Sequence, residues 1–208
     1  MALPSKTDIV NAALGHLKQR KIANLTENSI QALEANRCYE IARREVLRSG
    51  DFGCSIVVKT LAENATYEAS AAGVYAGKWL YAYTYPANAI AIRRIFNETT
   101  ADAQQRNEFT VIYDDMHNQK VILCNVYQAL CEYTFDLNDV SLFDPSFVVA
   151  FAFRLAYEMA PNLTGDDAIA DSMLKLYNVS ASEADRAGSY ENYDTSQSKT
   201  TSSYQDCR

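Results

Sequence analysis

The apolar residues of this chain change period twice. They recur every three to four residues near the N-terminus, every second residue in the middle, and every three to four again after residue 145. The first and last patterns belong to helices and the middle one to strands. A chain patterned in this way is held to an α+β fold, with a bundle formed by N- and C-terminal helices and a central, mostly antiparallel β region projecting from it. The expected layout is a helical bundle from residues 1–54 and 145–188, a β region over 55–144, and a polar C-terminal tail over 189–208.

The punctuation fits these periods. Ser5 or Thr7 can cap a first helix whose stripe is Ile9, Val10, Ala13, Leu14 and Leu17, with the cations of "KQRK" (18–21) at its C-terminal end, complementing the helix dipole. A second helix spans about Ser29 to Ser49, capped by Asn28 or Ser29 and ended by Gly50. Leu33, Ile41, Ala42, Val46 and Leu47 lie broadly on one side of it, and Glu40–Arg44 and Glu45–Arg48 have the spacing of outer-face pairs. Arg37, Arg43, Arg44 and Arg48 are interleaved with glutamates, which favours a solvated or subunit-facing surface over a DNA-binding stripe. Asp144–Pro145 opens an apolar helix that runs from Pro145 to Met159 and stops at Pro161. Asp166 and Asp167 start a fourth helix with Ile169, Met173, Leu176 and Tyr177 as its stripe, thinning toward Ala187.

Between the helices, 55–62, 78–85, 89–96, 109–114, 120–125 and 129–136 read as strands, and "DMHNQ" is a hairpin turn. Short connections make them mostly antiparallel. In "KWLYAYTYP", alternation puts Trp79, Tyr81, Tyr83 and Tyr85 on one face, as a packing or subunit-contact face. A carbohydrate-binding platform is the alternative. From Gly188 the chain has no Leu, Ile, Val or Phe. Such a segment buries too little to order itself, so it is expected to be ordered by assembly, with Tyr190, Tyr193 and Tyr204 as candidate partner-binding residues.

Little points to chemistry. There is no phosphate-cradling glycine loop and no nucleophile elbow. The two histidines, His16 and His117, share no zinc-ligand spacing with the cysteines. The five cysteines are odd in number, lack C-x-x-C spacing and follow no secretory segment, so they read as free thiols of a reducing cytoplasm. Asp114, Asp115, Asp136, Asp139 and Asp144 lack calcium-loop spacing and suit turns and caps, although Asp114, Asp136 and Asp139 leave a hydrolase reading open. No catalytic residue, metal or cofactor is assigned. No apolar run is long enough to span a membrane. A net charge of −7 argues against a protein that grips DNA and suits one that DNA slides past.

The order of elements resembles the tail tubular protein A family of short-tailed bacteriophages. The resemblance rests on "DIVNAALGHLKQRKI", on "ENSIQALEANRCYEIARREVLRSGDFGCS", on "WLYAYTYPANAIAIRRIF", and on "DPSFVVAFAFRLAYEMAPNLTGDD" leading to an acidic-start helix and polar tail; together these cover about residues 5 to 190. Phe52 departs from the tryptophan that members often carry near that step. The resemblance implies a non-enzymatic structural protein of the virion tail or neck, assembled from host cytoplasm. It implies a homo-oligomeric, dodecameric ring that binds the portal protein above and the tail nozzle protein below. DNA would pass its channel without sequence-specific binding. Another neck or head-completion protein stays open as an alternative.

Overall fold

The structure is a computed structural model and describes residues 4–67, 77–97 and 107–191. It is an α+β fold of four helices and two small antiparallel sheets, with helices at both ends and strands in the centre.

Helix α1 (Lys6–His16) opens on a capping box: the Ser5 hydroxyl accepts from Asp8 N–H at 3.2 Å while the Asp8 carboxylate accepts from Ser5 N–H at 2.9 Å. It closes in a Schellman turn, with Gln19 N–H donating to Leu14 O (2.9 Å), Lys18 N–H to Gly15 O (3.1 Å), and Lys18 itself left-handed at φ 55. The Lys18–Lys21 cations therefore follow the last turn instead of occupying it. Helix α2 (Ile30–Ser49) is capped by Ser29 and ended by Gly50. Its buried line is Ala32, Ala35, Tyr39, Ala42 and Val46. Leu33 and Ile41, expected on that side, point outward instead, because they stand about 100–180° round the helix from Ala42 and Val46.

Helix α3 (Pro145–Thr164) starts from Asp144, whose carboxylate accepts from Ser146 N–H at 2.8 Å. It does not stop at Pro161. A proline in the last turn removes only one ladder bond, and the helix continues to a left-handed Gly165 (φ 65) whose N–H donates to Pro161 O. Helix α4 (Asp167–Glu191) runs past Gly188. The apolar core joins all four helices: α3 packs against each of the others, with Phe147, Phe151, Leu155 and Met159 at the centre. Phe52, Phe143 and Phe151 pack around or beside Phe147, the first two edge-on at 5.0 and 4.7 Å between ring centroids.

Strands β1 (Ile56–Thr60), β6 (Leu130–Phe135) and β3 (Ala89–Phe96) form one sheet in that order; β2 (Tyr81–Thr84), β5 (Gln119–Cys124) and β4 (Phe109–Asp114) form the other. Although only a short corner joins β2 to β3, they lie in different sheets. Tyr83, Ile122 and Cys124 of one sheet meet Ile95, Cys131 and Tyr133 of the other in a shared core. Ile90 and Phe135 pack against the helical core, so the first sheet sits between the helices and the second sheet. Two irregularities in β3, at Ala89/Ala91 and Ile92/Arg94, shift its pairing with β6. Beside them, Arg93 reaches the end of α2: its Nη2 donates to the carbonyls of Leu47, Arg48 and Gly50, and its Nε to Thr134 Oγ1 at 2.8 Å. A guanidinium there satisfies carbonyls that the helix end leaves open. Among the described residues, no helix is long and apolar enough to cross a membrane.

Candidate interaction surface

The four rings of the aromatic segment do not share a face. Strand pairing begins only at Tyr81, opposite Cys124. Before it the chain turns through Gly77 (φ 78), and Leu80 N–H donates to Asn125 Oδ1 at 2.9 Å. The alternation therefore does not extend back to Trp79. Trp79 packs with Ala82, Val121 and Leu123 on one side of the sheet, whereas Tyr81, Tyr83 and Tyr85 join the core on the other. Trp79 is 3% exposed and Tyr83 2% exposed. The Tyr83 hydroxyl donates to Val126 O at 2.8 Å. Tyr81, half-buried, lies 5.7 Å from the Tyr127 ring. With Trp79 and Tyr83 sunk in this way, the four rings do not form one shared face on which a sugar could stack. Of the tail tyrosines, Tyr190 falls in the last turn of α4, and Tyr193 and Tyr204 lie outside the described residues.

The three acids of the hydrolase reading are each occupied locally. Asp114 is buried in the β4–β5 turn, where its carboxylate accepts from Met116 N–H (3.2 Å) and Gln119 Nε2 (3.3 Å) and meets His117 Nδ1 at 2.7 Å. Burial pushes its pKa up, and the hydrogen bonds from His117 and Gln119 more than reverse this. Asp139 accepts from the Ser141 hydroxyl and N–H, which hold its carboxyl below the ordinary range. Asp136 sits between two arginines of α2. Its Oδ2 accepts from Arg44, and its Oδ1 lies 2.6 Å from Arg43 Nη2, as a close ionic contact out of line for a hydrogen bond. Burial raises the pKa of this carboxyl, but Arg44 and Arg43 outweigh it and hold the group below its ordinary value. His16 stacks on Phe153 at 4.4 Å, and burial lowers its pKa. Among the described residues no cluster of His, Cys, Asp and Glu could hold a metal.

The arginines of α2 differ from one another more than their spacing suggests. Arg43 is buried, bonded to Glu40 at 2.8–3.0 Å and to Leu137 O at 2.7 Å as well as facing Asp136. Arg44 pairs with Asp136, not Glu40. Arg48 donates to Ile90 O at 3.0 Å, not to Glu45, which lies 4.0 Å from Arg154. Arg37 pairs with Glu34, whose pKa it lowers.

Along the outward side of α2 runs one line, Ile30, Leu33, Arg37, Ile41, Arg44 and Arg48, three or four residues apart and flanked by the exposed Asn36, Glu40 and Glu45. Ile30, Leu33 and Ile41 are 71%, 63% and 57% exposed. At its C-terminal half this line enters an open groove of about 400 Å³ between α2 and the start of β3, lined by Ile41, Arg44, Arg48, Asn88, Ile90 and Asp136. Aliphatic side chains alternating with guanidinium groups make a surface suited to protein contact. The sequence hid it because Leu33 and Ile41 looked like core residues; the signal that could have found it is the competing alanine line. No protein-family model and no curated protein matches the chain.

Proposed function

We propose that this chain is a structural virion protein, a tail adaptor that forms a ring between the portal and the tail nozzle of a short-tailed bacteriophage and acts without catalysis. The observation that carries this reading is the order of elements among the described residues: two helices, six antiparallel strands, then two helices, with α1, α2 and α4 all packed on α3. That order is the one the family resemblance calls for. The outward line of α2 supports it, since a ring subunit needs a lateral surface that its own fold leaves uncovered. The net charge of −7 suits a passage that does not hold DNA. The protein would work in the virion neck after assembly in the host cytoplasm.

The test is to mix the purified chain with the portal protein and with the nozzle protein and to image the products by electron microscopy. A ring seated on the portal is expected. A strict monomer that joins neither partner would sink the proposal. Removing residues 190–208 is expected to leave the melting temperature unchanged and to reduce incorporation into portal complexes; equal incorporation would refute a binding role for Tyr190, Tyr193 and Tyr204.

A further inference from the structure

We infer that the β region is hinged on the helical bundle and held in place by an arginine clasp, so that releasing the clasp lets it swing as a unit with both apolar cores intact. The inference stands apart from the ring reading. Among the described residues, the helical core and the core between the sheets share no buried side chain. Phe135, half-buried, packs on both, and the half-buried Ile90 packs on the helical one. The bonds across the junction are polar and come from four arginines. Arg43 and Arg44 of α2 meet Asp136, which follows β6, and Arg48 donates to Ile90 O at 3.0 Å. From the other side, Arg93 of β3 donates to the carbonyls of Leu47, Arg48 and Gly50.

The chain crosses this junction twice, at neighbouring points. Phe52, buried in the helical core, is followed by one turn of 3-10 helix (Gly53–Ser55) and then by β1. Strand β6 returns through Asp136 to Leu137, buried in the same core. Ile56 and Thr134 are paired, so the two crossings run side by side. Two adjacent crossings make an axis about which a sheet can turn. Strand β3 lies on the opposite side of β6 from β1, so the Arg48 and Arg93 bonds close the junction away from that axis. The open groove of about 400 Å³ lies at this closing edge, between α2 and the start of β3. Arg44 and Arg48 are exposed and Arg93 is half-buried, so water reaches the clasp. A junction with few buried apolar groups and water-reached polar bonds opens before the cores on either side of it.

The test places spin labels at Thr60→Cys, the exposed last residue of β1, and at Lys175→Cys, exposed on α4. The full chain also carries Cys54→Ser and Cys207→Ser, while Cys38, Cys124 and Cys131 are buried. Distances between the labels are measured by pulsed electron paramagnetic resonance with the clasp intact and with Arg93→Met added. Circular dichroism checks the helices, and the fluorescence of Trp79, buried on the second sheet, checks the strands. Thr60 stands about 13 Å along β1 from Ile56, so a turn of about 15° moves it by about 3 Å. The intact clasp is expected to give one narrow distribution, and Arg93→Met a distribution shifted or broadened by at least that amount. If Arg93→Met alters the dichroism or the Trp79 emission, Arg48→Met, which removes one exposed bond, takes its place. An unchanged distribution in the variant overturns the hinge, and a broad one with the clasp intact overturns the clasp. Broadening that comes only with loss of Trp79 burial in both variants also overturns the inference, since the strands would then have melted and not swung.

Discussion

The Arg43–Asp136 pair sets how firmly α2 is tied to the end of β6, and its strength can be measured. Arg43 is 2% exposed and has three supports: Asp136, the half-exposed Glu40 and the Leu137 carbonyl. Asp136→Asn removes one negative charge and leaves the guanidinium buried. Breaking a fully buried pair costs about 3–5 kcal/mol, but two supports survive, so about 2–3 kcal/mol is expected. The lost pairing with exposed Arg44 adds less than about 1 kcal/mol. Arg43→Met removes the buried charge itself and leaves Asp136 with Arg44, so about 1–2 kcal/mol is expected. The double variant should then be less destabilised than the sum, by about 1.5 kcal/mol, because neither residue is left facing a missing partner. Urea denaturation of the four proteins supplies the cycle. Costs that add to within about 0.5 kcal/mol would refute the coupling. The pH dependence has a fixed sign. The folded carboxyl titrates below its ordinary value of 3.8, so the advantage of wild type over Asp136→Asn is full above that value and is lost as pH falls through the lower folded pKa.

Three further outcomes are expected. Arg93→Met should cost about 2 kcal/mol, because the carbonyls closing α2 lose their donor; a melting temperature within a degree or so of wild type would show that the bonds contribute nothing. Gly50→Ala should cost about 1–3 kcal/mol, because a methyl group there meets the Phe52 ring, itself packed on Phe147; thermal melting checks this, and an unchanged midpoint would mean the ring swings freely. Burial pushes the thiol of Cys38 up to about 11 and that of Cys131 up to about 12, and also raises Cys124, so all three should resist a thiol reagent at pH 8 until denaturant is added. Mass spectrometry of the folded protein finding any of them modified at the rate of an unfolded peptide would contradict that.

The helices were legible in the sequence because their signals are local. Ser29 and Asp144 cap where their side-chain type allows, and the buried positions of α1 recur at helical spacing. Pro161 misled because a proline is costly inside a helix and cheap in its final turn, and only the structure shows which applies. The sheets were half legible. Alternation marked the strands, but not which strands pair. The corner at Pro86–Asn88 is short enough for a hairpin, yet Tyr85 N–H donates to Lys120 O on one sheet and Asp136 N–H donates to Asn88 O beside the other. Partners set by such long-range bonds leave no mark in local spacing. Arg93 was invisible for the same reason: its role depends on the end of a helix some forty residues earlier.

The α2 face was misread for a different reason, which bears on function. Hydrophobicity alone ranks Leu33 and Ile41 above Ala32, Ala35 and Ala42 as core residues. Helical phase overrides that ranking, since Leu33 and Ile41 stand about 100–180° round the axis from the buried Ala42 and Val46. Phe147, Phe151 and Tyr39 already fill the space between α2 and α3, with Tyr39 and Phe151 edge-on at 5.0 Å. Val46 and Leu47 are buried on α2 as fully as the alanines. Ile30, Leu33 and Ile41 are turned outward by that phase, on a surface where burying each would gain about 1.5–3 kcal/mol. A helix with a buried side and a separate exposed aliphatic line has two apolar faces. Within the chain only the first of them is covered.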